Sequence, residues 1–120
     1  MNYSLSEKAI ILLDSLEGLE YKHKAAILFR AGKPENLFDI CLRRGNALNG
    51  IIDEAKIQTV FAAFDEDYAE YTLEKYEKEN TTVITRGSEN YPESLENISA
   101  PPLCLYCNGD VTLLKASVLR

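Results

Sequence analysis

Residues 90–110 read N-Y-P-E-S-L-E-N-I-S-A-P-P-L-C-L-Y-C-N-G-D, and this stretch decides the fold. Two proline sites, Tyr91-Pro92 and Pro101-Pro102, bracket a short polar piece. An apolar run and an Asn108-Gly109 turn signal follow. Pro92 suits the opening of one helical turn over 93–97, with Leu95 and Ile98 inward. Pro101-Pro102 cannot continue a helix and favours an extended path into 103–107, which reads as a strand. Asp110 is placed to cap a short helix over 111–115, and 117–119 begins a further strand. Upstream, Thr81-Thr82-Val83-Ile84-Thr85 is β-branched throughout and reads as a strand, ended by Gly87-Ser88. A piece of about 40 residues with few large apolar side chains rarely supports itself. It reads as the opening of an α/β domain whose remainder is absent.

Working outward toward the N-terminus, the period changes at Asn80. Residues 1–80 form a helical module and 81–120 the strand-bearing piece. Ser4 or Ser6 can cap a first helix with Ile10, Leu13 and Leu16 at helical spacing, stopped at Gly18. A second helix over 21–31 points Ala25, Leu28 and Phe29 inward and ends at Gly32. Pro34 suits the first position of a third helix, with Leu37, Ile40 and Cys41 inward and Gly45 closing it. Residues 46–50 make a turn or short helix. Asp53 can cap a fourth helix carrying Ile57, Val60, Phe61 and Phe64. A fifth, over 65–78 and either separate from the fourth or continuous with it, sets Tyr68, Tyr71 and Leu73 or Tyr76 on one side, with Glu74 and Lys78 as an i, i+4 pair.

The totals bound the class. Of the 120 residues, 46% are hydrophobic and 27% charged, a globular rather than disordered composition. The longest apolar run, 9–13, is far short of the roughly 18–20 residues of a membrane span. The start lacks the basic and apolar regions of a signal peptide, and three cysteines do not suggest a disulfide framework. A cytoplasmic protein with reduced thiols is expected. The net charge of −6 argues against strong nucleic-acid binding by the whole surface, because phosphate neutralisation supplies most such affinity. Charge is uneven, however. Lys22, Lys24, Arg30 and Lys33 fall in a stretch without an acid, whereas 65–79 carries seven acids against two lysines.

The run Tyr91-Pro92-x-x-Leu95-x-x-Ile98-x-x-Pro101-Pro102-x-x-Leu105-Tyr106-x-x-Gly109-Asp110-x-x-Leu113-Leu114 resembles the opening of the Rossmann-type domain of the DNA processing protein A family (DprA, also called Smf). The strand Val83-Ile84-Thr85 sits where that family enters the domain. The preceding segments are similar to its helical region, described as SAM-like or helix-hairpin-helix-like. Leu16-Glu17-Gly18-Leu19 stands at the hairpin and 29–37 at the next turn and helix. The resemblance covers essentially the whole chain and is most specific from Tyr91 to Asp110. It implies a protein that binds single-stranded DNA, assists loading of the RecA recombinase in natural transformation, and dimerises through its Rossmann-type domain. It also implies that the glycine-rich phosphate loop and the basic DNA-binding residues lie past Arg120, so that this sequence resembles an N-terminal fragment.

A helix-hairpin-helix binds phosphate through backbone N–H groups exposed by a two-glycine hairpin. Gly18 occupies the first such position, but Glu20 stands at the second and repels phosphate. Gly18 with Lys22, Lys24, Arg30 and Lys33 is the candidate DNA-binding set, and a solvated helix face is the plainer reading of it. Cys104 and Cys107 have C-x-x-C spacing but lie in a strand, where residues three apart face opposite ways, so they read as small buried residues rather than a metal or redox pair. His23 has no local acid–base partner and reads as a surface residue. The tyrosines 68, 71 and 76 suit base stacking, but their spacing and acidic surroundings favour a half-buried helix face. No nucleophile–base pair stands out, so no enzyme, cofactor or metal is expected. The alternative to the DNA-processing reading is a helical protein-interaction module whose acidic 65–79 face docks a basic partner.

Overall fold

The computed structural model describes residues 3–108; the expected helix at 111–115 and strand at 117–119 lie outside the described residues, as does most of the Asn108-Gly109-Asp110 turn. The architecture is mixed: helices lead, and a two-stranded sheet follows. The chain divides into two compact units between Tyr71 and Thr72.

In the first unit, helix α1 (Leu5–Ser15) opens at Ser4. The Ser4 hydroxyl accepts the Glu7 N–H at 3.1 Å, and the Glu7 carboxylate accepts the Ser4 N–H at 2.9 Å. This reciprocal box satisfies two donors that a helix start otherwise leaves open. Ala9, Ile10, Ile11, Leu12 and Leu13 are all buried, so the middle of α1 is enclosed on every side and belongs to the core of the unit. The Lys8 ammonium pairs with Glu70. The helix ends at Leu16, earlier than the expected stop; Gly18 follows in the turn with φ +84°, a conformation that a side chain strains.

Helix α2 (Tyr21–Ala31) ends at Gly32, whose N–H reaches the Leu28 and Phe29 carbonyls. Its buried face is Ile27 and Ala31. The expected inward set is therefore corrected: Ala25 and Leu28 are half-buried and Phe29 is 90% exposed. Helix α3 (Asn36–Arg43) packs on α2. Pro34 lies in the turn before it and lends its carbonyl to the Leu37 N–H, so it is not the first helical residue. Leu37 and Cys41 are buried and Ile40 half-buried. Arg44, not Gly45, takes the left-handed closing position, at φ +50°.

A turn buries Leu48 and leads to α4 (Glu54–Ala63), which packs on α3. Asp53 caps α4 as expected, accepting the Lys56 N–H at 2.9 Å, and that hydrogen bond holds its carboxyl below the usual range. Ile57, Val60 and Phe61 are buried, and Phe64 meets Phe38 edge to face with ring centroids 5.6 Å apart. Helix α5 (Glu66–Lys78) is separate from α4. Of the expected face Leu73 is buried, together with Ala69, whereas Tyr68 and Tyr71 are 49% and 66% exposed.

The second unit holds the last part of α5, strand β1 (Thr81–Thr85), the single helical turn α6 (Glu93–Glu96) and strand β2 (Cys104–Asn108). The strands pair antiparallel, with Thr81 opposite Asn108, Val83 opposite Tyr106 and Thr85 opposite Cys104. A Rossmann-type sheet is mostly parallel; the sheet among the described residues is this antiparallel pair alone. Val83, Ile84 and Thr85 are buried, as are Tyr91, Pro92, Pro101 and Leu103. Ile98, expected inward, is 48% exposed because the turn of helix ends at Glu96 before reaching it. The long connection between strands is tied twice. The Tyr91 hydroxyl donates to the Pro102 carbonyl at 2.7 Å, and the Arg86 guanidinium grips the Glu96 carboxylate through Nε and Nη2.

Candidate nucleic-acid interface

The five candidate residues all belong to the first unit, and the structure gives them different tasks. Gly18 sits in the α1–α2 turn, where it lines a cleft of about 200 Å³ with Glu17, Leu19, Ala55, Lys56 and Thr59. The cleft is small, and its lining carries both an acid, Glu17, and a base, Lys56, so it does not select an anion. Glu20 occupies the N-cap of α2 and makes no side-chain cap bond, so a second carboxylate stands where a helix N-terminus would otherwise attract an anion.

Lys24 is structural. Its ammonium donates to the Asp14 carbonyl at 2.8 Å in a partly buried position, joining α2 to the end of α1. Arg30 is divided between roles: Nη1 donates to the Ala47 carbonyl at 2.6 Å, fixing the end of α2 beside the turn after α3, while the residue stays exposed. A carbonyl partner leaves the guanidinium charge in place. Lys22 is 73% exposed and faces Glu20 at 3.5 Å, a surface pair of small energetic weight. Lys33 is exposed just past the helix. Lys22, Arg30 and Lys33 are therefore exposed surface charge, whereas Lys24 is half-buried and its ammonium is tied to α1.

Two residues that sequence reasoning missed also belong here. Phe29 lies between the cations of α2 on its solvent face. Leu42, 81% exposed, precedes the exposed Arg43 and Arg44 on α3, with Arg43 bridged to Asp39. The signal for Phe29 was available in the helical phase. Lys22, Ala26 and Phe29 fall within about 60° of one another and opposite Ile27 and Ala31 at 3.6 residues per turn.

The remaining candidates separate from this face. His23 is half-buried rather than on the surface, and its Nδ1 is buried without a hydrogen-bond partner among the described residues. Tyr68 and Tyr71 stack at a tilt, with centroids 6.4 Å apart. Among the described residues no three His, Cys, Asp or Glu side chains are grouped to hold a metal, and no helix is long and apolar enough to cross a membrane. Cys104 is buried and Cys107 half-buried on β2.

Burial pushes the Cys41 thiol up to about 12, so its thiolate fraction at pH 8 is on the order of 10⁻⁴. Burial raises the Cys107 thiol as well, but that side chain is half-exposed. A thiol reagent on the folded chain at pH 8 therefore modifies Cys107 first, and Cys41 only on unfolding, as read by peptide mass spectrometry. Labelling of Cys41 at the Cys107 rate would contradict this burial.

No family model matches the chain, and no curated protein or solved structure matches it.

Proposed function

We propose that the chain is the N-terminal part of a DprA-like DNA-processing protein, which binds single-stranded DNA and assists RecA loading. In this reading the helical module is SAM-like and serves in positioning or protein contact, while the strand-bearing piece opens a Rossmann-type domain. The observation that carries the reading is the tie between the two halves of the sequence bracket. Tyr91 is 5% exposed and its hydroxyl bonds the Pro102 carbonyl, so Tyr-Pro and Pro-Pro act as one built unit. Those residues carry the resemblance, and this coupling gives the motif a physical reason. An antiparallel pair is compatible with the edge of an otherwise parallel sheet.

The test is the gene product that continues past Arg120. It is expected to bind single-stranded DNA with a steep salt dependence and to speed RecA filament formation on strands coated with single-strand binding protein. A product that binds no single strand under low salt, or a gene that stops after Arg120, would sink the reading. For the present chain, binding to single strands is expected to be weak, and a submicromolar affinity would contradict that assignment of roles. Lys22→Glu with Lys33→Glu is the informative charge reversal, because Lys24 also holds α1 to α2.

A second reading rests on α5. Exposed Tyr68 and Tyr71 lie beside the exposed acids Asp67 and Glu70, a surface suited to a basic partner segment. Binding of a basic peptide that is unchanged by Asp67→Lys with Tyr71→Ala, followed by anisotropy of the labelled peptide, would weigh against it.

A further inference from the structure

Phe29 is the large apolar side chain most exposed among the described residues, at 90%. Its neighbours on that face of α2 are Lys22, Ala26 and Arg30, all exposed, with Lys33 just beyond the helix end. Residues 20–45 carry six cations against three acids, while the rest of the chain carries seven against sixteen. The ring therefore stands on the cationic part of an otherwise acidic protein. Arg30 holds the end of α2 beside the turn that follows Arg43 and Arg44, so further positive charge is close in the chain to the same end.

We infer that this face binds single-stranded nucleic acid, with Phe29 as the platform on which a base stacks and Lys22, Arg30 and Lys33 as contacts to the flanking phosphates. The inference rests on the DNA-processing reading and adds a weak single-strand contact to the positioning role of the helical module. Charge complementarity selects the occupant. A protein partner seated on apolar surface needs a contiguous patch with charges kept to the rim, and here the exposed Phe29 ring shares its helix with exposed Lys22 and Arg30. A single strand supplies both complements, a free π-face and a phosphate every nucleotide. A duplex hides its base faces in the stack, so the ring favours the single strand. The Lys22–Glu20 pair at 3.5 Å is exposed and of small energetic weight, so a phosphate can take the Lys22 ammonium from Glu20.

The chain contains no tryptophan, so Phe29→Trp introduces a unique reporter at the proposed contact. Its emission should be quenched, saturably, by an oligothymidylate of roughly 15 nucleotides, near the upper site size of single-strand binding folds. The dissociation constant should be about 100 µM at physiological salt, the weak end of non-specific binding, and lower as salt is reduced. The same sequence held in a duplex should quench far less. Phe29→Ala should weaken single-strand binding, followed by anisotropy of the labelled oligonucleotide, at least about fivefold. Lys33→Glu should shallow the salt slope by roughly 0.7 while leaving the quenching at saturation intact. Because Phe29 is exposed, neither substitution at that position should alter the far-UV spectrum, which guards the test against misfolding. Unchanged anisotropy for Phe29→Ala overturns the inference. So does equal quenching by duplex, or an emission shift that follows protein concentration alone, which would mark a second copy as the occupant. Failure here with RecA loading by the longer gene product intact removes the role of Phe29 and leaves the DNA-processing reading standing; loss of loading with quenching intact does the reverse.

Discussion

Leu12→Ala is expected to destabilise the helical unit by about 2–5 kcal/mol, the range for emptying a well-packed leucine site. Its unfolding midpoint should fall by at least roughly 8 °C, taking 4–8 °C per kcal/mol for a domain of this size. Leu12 is 1% exposed and lies in a helix whose residues 9–13 are all buried. Neighbours on every side of α1 are therefore already committed to other contacts and cannot all close on the space a leucine leaves. The penalty combines the lost transfer of the isobutyl group with the residual cavity. Small domains have stabilities near the low end of about 5–15 kcal/mol, so the upper part of this range would leave much of the helical unit unfolded at 37 °C. Leu5→Ala is the matched control, since Leu5 on the same helix is 41% exposed and should change stability by no more than about 0.5–1 kcal/mol. Urea unfolding followed by helical circular dichroism reads both. A loss below about 1 kcal/mol for Leu12→Ala would mean that the middle of α1 does not belong to the packed core of its unit.

The contrast between α1 and α2 shows what the sequence made legible. Helix α1 was readable because a capping serine precedes a long apolar run, and an element buried on all sides needs no decision about its face. The Asp53 cap was readable for a similar reason, as was the β-branched run of β1, since local chemistry alone sets them. Helix α2 was not. Its apolar residues Ala25, Ile27, Leu28 and Phe29 are nearly consecutive and cover most of the helix circumference, so two stripes compete. Tertiary packing chose the one that buries the small Ala31 with Ile27 and turns Lys24 toward the carbonyl of Asp14. The same competition on α5 kept the expected Leu73 buried but set Ala69 beside it in place of Tyr68 and Tyr71, because the small side chain permits closer approach. In the candidate interface the cations were legible as charge, but not by what they touch. Lys24 and Arg30 reach backbone carbonyls 10 and 17 residues away, and no spacing rule in the sequence encodes such contacts. Arg44 closes α3 in place of the adjacent glycine for a comparable reason: a residue off the preferred list can take the left-handed position when the helix ends one residue early.

Tyr91→Ala is expected to cost the second unit about 3–5 kcal/mol, and Tyr91→Phe about 1–2 kcal/mol, and the difference between them separates the ring from its hydroxyl. The ring is 5% exposed, so truncation empties an aromatic site of the core. The hydroxyl has a narrower task. Pro102 has no N–H and offers only its carbonyl, which accepts the Tyr91 proton at 2.7 Å. Phenylalanine keeps the packing but withdraws the donor. The connection from Arg86 to Leu103 is far longer than the two to five residues that usually join antiparallel neighbours, so its conformation depends on such ties. The second tie, from Arg86 to Glu96, is more than a third exposed on both sides, and Glu96→Gln should cost less than about 1 kcal/mol. Amide exchange gives the readout. The Arg86 N–H, which donates to the Leu103 carbonyl at 2.8 Å, should lose protection strongly in Tyr91→Ala, partly in Tyr91→Phe and little in Glu96→Gln. If Tyr91→Phe left that amide as protected as in the unsubstituted chain, the hydroxyl bond would not be what couples Tyr-Pro to Pro-Pro. The structural support it lends the DNA-processing reading would then fall with it.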